Sequence, residues 1–221
     1  MKNIKFGNKS FDAIICLNAT LPERIFFEKF KDVTIMAADG GTNKLLAINI
    51  TPDFIIGDLD SIDISRLPED FDMSKVIKIA HQEKNDFEKI LDFCIETTRI
   101  NLLVTGIHGG VLEHTLNNLS VVKRYFKILN LCIYDEERYG ILTDESIRFE
   151  TQPDEIISLI PFPTANIKTT NLKWKLDNED LTLGVRDGAR NRATGEYVEI
   201  EINSGDLFLF FDPKLPYSPE L

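Results

Sequence analysis

The chain has 221 residues, of which 43% are hydrophobic and 28% are charged, and its formal net charge is −11. This composition is typical of a globular protein with a sizeable core and not of a disordered chain. The acidic charge disfavours a nucleic-acid partner, and the lack of any apolar run of about 18 residues disfavours a membrane partner.

The first part of the chain alternates between predicted strands and predicted helices. The clearest helix is expected over residues 85–98, where Phe87, Ile90, Leu91 and Cys94 recur at helical spacing. In chain order the expected elements are a strand over 11–19, a helix over 22–31, a strand over 33–38, a helix over 42–48, strands over 54–56 and 76–80, the helix over 85–98, a strand over 101–105, a helix over 114–126 and a strand over 129–134. Strands that alternate with helices and are apolar on both faces indicate an α/β domain with a doubly wound, Rossmann-like parallel sheet.

The pattern changes after about residue 140, where short β-rich runs separated by turn residues replace the helices. These runs predict strands over 141–143, 147–150, 156–161, 166–170, 172–176, 197–202 and 206–211. We therefore expect an α/β domain over 1–140 and a second, all-β domain, a sandwich, over 141–221.

The cysteines and the N-terminus indicate a cytoplasmic location. Cys16, Cys94 and Cys132 lie far apart in apolar surroundings without a CxxC pair, which predicts buried, reduced thiols. The first residues lead into no apolar stretch of the kind found in a signal peptide.

Four aspartates follow predicted strands or begin a predicted helix: Asp39, Asp58, Asp60 and Asp86. Ligands of open parallel sheets bind beyond the carboxyl ends of the strands. In an extended chain, the carboxylates of Asp58 and Asp60 would point to one side about 6 Å apart, with a repulsion on the order of 3 kcal/mol at an effective dielectric constant of about 20. A Mg²⁺ ion that also holds phosphate oxygens would relieve this repulsion. The alternative is an aspartate-rich turn whose side chains cap backbone amides.

Two glycine pairs, Gly40-Gly41 and Gly109-Gly110, each precede a predicted helix. Glycine allows a close approach of the backbone to a ligand, and the helix start offers free N–H groups to phosphate; plain turn chemistry is the alternative. His114 follows Glu113 and is a candidate for phosphate binding or proton transfer, or else for packing at the helix start.

Five segments, taken in order, resemble the thiamine pyrophosphokinase family. They are residues 38–41 (ADGG), 52–61 (PDFIIGDLDS), 81–89 (HQEKNDFEK), 109–114 (GGVLEH) and 171–176 (NLKWKL). The second segment matches the family pattern P-D-x-I-x-G-D-x-D-S almost throughout. The resemblance implies an enzyme that transfers the pyrophosphoryl group of ATP to the hydroxyl of thiamine and releases AMP.

The resemblance also implies roles for individual residues. Asp58, Asp60 and Asp86 would hold Mg²⁺ on the triphosphate, Asp39 would lie near the substrate hydroxyl, and either Asp39 or Asp86 would accept its proton. The residues expected to bind ATP or thiamine are Gly40, Gly41, Gln82, Asn85, Gly109, Gly110, Glu113, His114 and Asn191. The second domain would bind thiamine and form a homodimer with active sites at the subunit interface. Trp174 is expected to pack in the core, with stacking on thiamine as the alternative.

The chain departs from the family pattern at several positions. Val111 replaces the arginine of the family's G-G-R, which removes a bidentate phosphate ligand unless Lys84 or Arg190 compensates. Two alternatives therefore stay open at this point. One is a related pyrophosphokinase with another alcohol acceptor, such as a pterin, and the other is a non-catalytic protein that binds nucleotide or thiamine.

Overall fold

A computed structural model of the protein describes residues 1–7, 9–80 and 83–220, and these divide into two compact units. One unit spans Ser10–Glu136; the other combines Met1–Lys9 with Glu137–Leu221. An α/β unit with a parallel sheet and a strand-rich unit confirm the predicted fold class. Within the described ranges, no helix is long and apolar enough to cross a membrane.

The described part of the α/β unit is built on six parallel strands. The strands are β2 (Ala13–Cys16), β3 (Thr34–Ala38), β4 (Phe54–Gly57), β5 (Val76–Lys78), β6 (Asn101–Thr105) and β7 (Asn130–Asp135). Their order across the sheet is β7-β6-β2-β3-β4-β5, and every neighbouring pair is parallel. The chain therefore moves outward from β2 in one direction through β5 and then returns to the other side of β2 with β6. This reversal places a topological switch point between β2 and β6.

Within the described residues, four α-helices connect these strands: α1 (Arg24–Phe27), α2 (Asp39–Ala47), α3 (Asp86–Glu96) and α4 (Leu112–Tyr125), with two 3₁₀ helices over Ile64–Arg66 and Met73–Lys75. The apolar stripe predicted for α3 is confirmed, since Phe87, Ile90, Leu91 and Cys94 are all buried. Asn85 caps α3 and Glu88 completes a reciprocal capping box, which explains why the helix begins at Asp86. Cys16, Cys94 and Cys132 are all buried, as predicted.

Other element boundaries in this unit differ from the prediction. The helix expected over 22–31 is only the single turn of α1, and α2 begins at Asp39 and not at residue 42. α4 begins at Leu112 and not at residue 114, and its buried residues are Val121, Val122 and Tyr125. Leu116, one helical turn and a half before Val122, is 57% exposed.

The strand-rich unit is organised around two long antiparallel strands. Its strands are β1 (Lys2–Ile4), β8 (Arg138–Thr143), β9 (Ile147–Glu150), β10 (Ile156–Thr170), β11 (Glu179–Thr182), β12 (Gly188–Arg192) and β13 (Tyr197–Phe211). β1 pairs with β9, so the first nine residues belong to this unit. The first half of β10 pairs with β12 and the second half with β11, while the two ends of β13 pair with β9 and β8. Long strands that pass from one ladder to another are typical of a sandwich.

β10 and β13 each join two strands that were predicted separately. The register between them shifts at Pro161/Ala165 and again at Asn166/Ile167, so the strands continue through the proline- and glycine-containing stretches that read as turns. The strand expected over 172–176 is absent, whereas β11 and β12 were not predicted.

Candidate active site

Three of the four predicted aspartates converge at the carboxyl edge of the parallel sheet. Asp39 is the first residue of α2 directly after β3, and Asp58 and Asp60 follow the neighbouring strand β4. One carboxylate oxygen from each of the three lies within 4.8 Å of the others. Adjacent parallel strands end at the same edge, and this topology brings together residues that are about twenty positions apart in the sequence.

The loop that carries Asp58 and Asp60 is a tight turn and not the extended segment that was expected. Leu59 between them has a φ of 66°, in the left-handed region. The hydroxyl of Ser61 donates to Oδ1 of Asp60 at 2.8 Å, and the side-chain amide of Asn43 donates to the carbonyl of Ser61 at 2.8 Å. The turn is thus attached to α2, and the two carboxylates converge through its curvature.

Asp39 is the most deeply buried of the acidic groups at this edge, with 1% of its surface exposed. Its Oδ2 accepts a hydrogen bond from the backbone amide of Ser61 at 2.8 Å, whereas its buried Oδ1 has no hydrogen-bond partner among the described residues. Burial raises the pKa of Asp39, with the Ser61 amide acting in the opposite direction and Asp60 and Asp86 adding to the rise. The hydroxyl of Ser61 is the main cause that lowers the pKa of the exposed Asp60. A buried oxygen without a partner beside two carboxylates is an arrangement that a bound cation would satisfy.

Asp86 lies beside this group and pairs with a buried lysine. Its Oδ1 accepts a hydrogen bond from Nζ of Lys89 at 2.9 Å, and the same Nζ lies 3.9 Å from Oδ2 of Asp58. Lys89 is 3% exposed. A Cβ atom at Gly57 would lie 2.9 Å from Cβ of Asp39 and 3.1 Å from Oδ1 of Asp86, so both aspartates pack against this glycine. Lys89 was not predicted as a site residue, although it ends the third family-like segment.

A cleft of about 320 Å³ opens at the switch point between β2 and β6. Its walls come from the ends of both strands, from the loop after β6, from the first turns of α4 and from the start of α3; they include Asn18, Asp86, Gly109, Gly110, Val111, His114 and Asn118. Asn18 and Asn118 were not predicted as site residues; Asn18 is the second residue after β2 and lies where ligands of open parallel sheets bind. The side chain of Asn118 donates to the carbonyl of Ile107 at 3.2 Å and so fixes the loop after β6 on α4.

The two glycine pairs lie in different structural settings. Gly40 and Gly41 lie inside the first turn of α2 and not in a loop before it. A Cβ at Gly41 would lie 2.5 Å from the carbonyl oxygen of Cys16, so close packing of α2 on the end of β2 requires glycine there. Gly110, in contrast, has a φ of 116° and open space around its Cβ position, and it lies in the cleft wall.

The other predicted site residues of the α/β unit are spread over the segments around the cleft. The side chain of Asn85 accepts the backbone amide of Glu88 at 2.9 Å as the cap of α3. Glu113 is exposed in the first turn of α4, next to His114 in the cleft wall. Gln82 lies outside the described residues. Nζ of Lys84, considered as a replacement for the missing arginine, donates to Asp92 at 2.6 Å.

In the strand-rich unit, Asn191 is 3% exposed and holds the segment that carries Trp174. Its side chain donates to the carbonyl of Trp174 at 2.7 Å and accepts the amide of the same residue at 3.1 Å. The expectation that Trp174 packs in the core is wrong within this chain, since the residue is 55% exposed and lies next to Lys173, whose ammonium is 4.9 Å from the indole ring.

Comparisons with known proteins agree with both units. Residues 29–133 match the family model described as thiamin pyrophosphokinase, catalytic domain, and residues 144–207 match thiamin pyrophosphokinase, vitamin B1 binding domain. Thiamine pyrophosphokinase 2 of Arabidopsis thaliana is 28% identical over 226 residues, covering 87% of this chain and 83% of the plant protein. The crystal structure of yeast thiamin pyrophosphokinase superposes with a TM-score of 0.78 at 19% identity and covers 93% of this chain and 87% of the yeast chain. The thiamine pyrophosphokinase of Bacillus subtilis gives 0.76 at 22% identity, covering 92% and 100%.

Proposed function

The chain belongs to the thiamin pyrophosphokinase family, and from this premise we propose that its acidic cluster serves the transfer of the pyrophosphoryl group of ATP to the hydroxyl of thiamine, which leaves AMP. The single observation that carries the assignment of the site is the convergence of Asp39, Asp58 and Asp60 within 4.8 Å at the carboxyl edge of the sheet. Phosphoryl-type transfer depends mainly on positioning and on neutralisation of charge, and this edge provides the acidic ligands for it.

Mg²⁺ is the cation that fits this donor set, because hard carboxylate oxygens suit it and because the buried Oδ1 of Asp39 has no partner among the described residues. We assign Asp58 and Asp60 to the ion, as the family resemblance implies, and add Asp39. When bound, the ion draws charge from the phosphate oxygens and favours attack at the β-phosphorus. The resemblance also implies Asp86 as a ligand of the ion. In this structure its Oδ1 accepts a hydrogen bond from the ammonium of Lys89.

Asp86 is our candidate for the group that accepts the hydroxyl proton of thiamine. It lines the cleft at the start of α3, and the hydrogen bond from Lys89 fixes its orientation. A general base must be held within hydrogen-bond reach of the proton that it accepts, and the capped start of α3 holds this carboxylate at the cleft wall. Asp39, the other candidate, is assigned to the ion in this scheme.

The phosphate chain of ATP is proposed to lie along the loop after β6 and the start of α4. Gly109, Gly110 and His114 line the cleft there, and the first turn of an α-helix offers backbone N–H groups to phosphate. Val111, the N-cap of α4, is 53% exposed and supplies no charge. Backbone amides and the metal ion must therefore neutralise the phosphate charge of ATP, which an arginine side chain helps to neutralise in other family members.

We further propose a cytoplasmic homodimer in which the strand-rich unit of one subunit, with Asn191, contributes to the thiamine site of the other. Mixing an Asp58→Asn variant with an Asn191→Ala variant tests this arrangement, because a mixed dimer contains one site that carries neither substitution. Recovery of activity on mixing supports the shared site. A strictly additive activity of the mixture, or a monomer by light scattering, contradicts it.

Product analysis tests the reaction itself. The purified protein is incubated with ATP, thiamine and MgCl₂, and nucleotides and thiamine esters are separated by chromatography. AMP and thiamine diphosphate should appear in equal amounts, only when thiamine is present, and addition of EDTA should stop the reaction. Formation of ADP, or the absence of any turnover, would contradict the proposal.

A further inference from the structure

We infer that Asp92 is a positioning residue for ATP binding and that it acts through Lys84, which it holds at the entrance to α3. The inference rests on the proposed function, because it takes the cleft beside the starts of α3 and α4 as the place where ATP binds. It gives Lys84 a role other than the phosphate contact that would replace the family's arginine. Asp92 itself is not among the described residues that line the cleft.

The carboxylate of Asp92 uses both of its oxygens. Oδ2 accepts a hydrogen bond from Nζ of Lys84 at 2.6 Å, and Oδ1 accepts one from the hydroxyl of Tyr125 at 2.9 Å. Asp92 lies in the second half of α3, Lys84 precedes that helix, and Tyr125 is the last residue of α4. A single side chain therefore joins the two helices to the segment that enters α3.

The contact with Lys84 reaches past the first turns of α3. Side chains within a helix meet at spacings of three or four residues, whereas Lys84 and Asp92 are eight residues apart. The bond is therefore a tether from the entering segment to the body of the helix. The two residues after Lys84 are Asn85, the N-cap, and Asp86, which lines the cleft. A shift of Lys84 would move this wall of the cleft.

The helix α4, whose start forms another wall of the cleft, is joined to the same group. Its last residue, Tyr125, bonds Asp92, and the preceding Arg124 places Nη2 at 2.9 Å from Oε1 of Glu88 in the capping box of α3. The hydroxyl of Tyr125 thus orients the Asp92 carboxylate and leaves its second oxygen for Lys84.

The tether is exposed enough to affect local position more than overall stability. The side chains of Lys84 and Asp92 are 41% and 32% exposed, and water and salt screen an ion pair in such a setting. Tyr125, in contrast, is 8% exposed and anchors its end of the group in the core. We therefore expect loss of the Lys84 bond to loosen the start of α3 while the fold keeps its stability.

Direct binding of phosphate by Lys84 predicts the opposite effect of Asp92. If Nζ of Lys84 contacted ATP, Asp92 would compete with the nucleotide for the ammonium, and neutralising Asp92 would strengthen ATP binding. A tether predicts weaker binding, even though the loss of a negative charge by itself attracts ATP. The sign of the change in KM therefore separates the two roles.

The first test measures initial rates of AMP formation by the full-length Asp92→Asn variant. Asparagine keeps the shape of the side chain and an acceptor oxygen for Tyr125, but it removes the charge that holds Lys84. The KM for ATP should rise about threefold to fivefold, with kcat within about twofold of the wild type. An unchanged or lower KM would overturn the inference. A fall in kcat without a rise in KM would also overturn it.

Variants of Lys84 form the matched set. Lys84→Met should raise the KM by the same factor as Asp92→Asn, and the double variant should exceed either one by no more than about 1.5-fold, because all three break one bond. Lys84→Arg, which keeps a charged donor for the carboxylate, should return the KM to within about 1.5-fold of the wild type. Additive effects in the double variant, or a Lys84→Arg enzyme as impaired as Lys84→Met, would overturn the inference.

Hydrogen–deuterium exchange tests the tether without turnover. The backbone amides of Asn85, Glu88 and Lys89 are hydrogen-bonded at the start of α3, so a peptide over residues 83–90 reports on this region in the nucleotide-free protein. Exchange of this peptide should be about threefold or more faster in both single variants that break the tether. Exchange equal to that of the wild type would overturn the inference.

Lys31→Met is the control, because it removes an exposed lysine of the same unit. It should leave the KM and the exchange of this peptide within about 1.5-fold of the wild type. The urea midpoint of Lys84→Met should equal that of the wild type, and a lower midpoint with faster exchange over the whole chain would contradict a local tether. Absence of turnover in the wild type would refute the proposed function, whereas the exchange experiment would still test the tether, so the two failures are distinguishable.

Discussion

The backbone amide of Ser61 donates a hydrogen bond to Oδ2 of Asp39 at 2.8 Å. This bond joins the turn after β4 to the first turn of α2, and it leaves Oδ1 of Asp39 without a partner among the described residues. The turn that carries Asp58 and Asp60 is thereby held against Asp39 before any ligand arrives. The chain's own backbone thus organises the carboxylates that we assign to the metal ion.

Neutralising Asp58 should lower the activity without lowering the stability of the fold. We expect Asp58→Asn to lower the rate of AMP formation by about a hundredfold or more, because one charged ligand of the ion is lost. The free energy of unfolding should not fall, since the substitution relieves repulsion among neighbouring carboxylates. Asp70→Asn, at an exposed position, is the control and should leave both quantities unchanged. An Asp58→Asn protein with wild-type turnover would refute the metal assignment.

Gly57 should tolerate no side chain. A Cβ at this position would lie 2.9 Å from Cβ of Asp39 and 3.1 Å from Oδ1 of Asp86, so Gly57→Ala must push the two aspartates away. We expect a loss of about 1–3 kcal/mol in the free energy of unfolding and a fall in kcat of about tenfold or more.

Gly195→Ala is the matched control for Gly57→Ala, because its nearest neighbour, at 3.5 Å, is in ordinary van der Waals contact. Urea titrations and initial rates measure both effects. If the two alanine variants have the same stability and the same initial rate, the packing of Asp39 and Asp86 on Gly57 does not contribute to activity.

Restoring an arginine at position 111 should strengthen the binding of ATP. Val111 lies in the cleft wall and is 53% exposed, so Val111→Arg adds a phosphate ligand without disturbing the core. We expect the KM for ATP to fall by about fivefold, with kcat changed by less than about twofold. Leu116→Arg adds the same charge at another exposed position of α4. An equal fall in KM in this second variant would attribute the effect to long-range charge and not to a local contact.

Tyr125 should make the stability of the α/β unit depend on alkaline pH. Its hydroxyl donates to Oδ1 of Asp92 at 2.9 Å, and burial, followed by this carboxylate, raises the pKa of Tyr125 above its ordinary value of 10.0. The folded state favours the protonated phenol, so its contribution is complete below that value and is lost as the pH rises through the raised pKa. Tyr125→Phe should cost about 1 kcal/mol at neutral pH, with a smaller difference from the wild type at about pH 11.

Unfolding in urea at both pH values tests the role of Tyr125. Tyr217→Phe serves as the control, because Tyr217 is 41% exposed in the strand-rich unit. A difference between wild type and Tyr125→Phe that does not shrink with pH would contradict the assignment.

The parts of the fold that follow from local patterns were predictable from the sequence. The apolar spacing of α3 and the cap at Asn85 fix that helix, and apolar runs that alternate with helices indicate the parallel sheet. The meeting of Asp39 with Asp58 and Asp60 also follows, since β3 and β4 are neighbours and ligand sites of such sheets lie at their carboxyl edge.

Other features depend on tertiary structure and were not predictable. A lysine on a helix is expected in solvent, so only the fold reveals that Lys89 is buried between two aspartates. The left-handed conformation of Leu59 is unusual for a leucine and is imposed by the turn that Ser61 and Asn43 hold. The length of β10 was missed because Pro161 lies within it and reads as a turn residue.

The fate of the β-phosphorus of ATP tests the central claim most directly. The protein is incubated with thiamine, MgCl₂ and ATP that is radiolabelled at the β-phosphorus, and the products are separated. Our account predicts that all transferred label appears in thiamine diphosphate and that the nucleotide product is unlabelled AMP. Label retained in ADP, with an unlabelled thiamine ester, would contradict it.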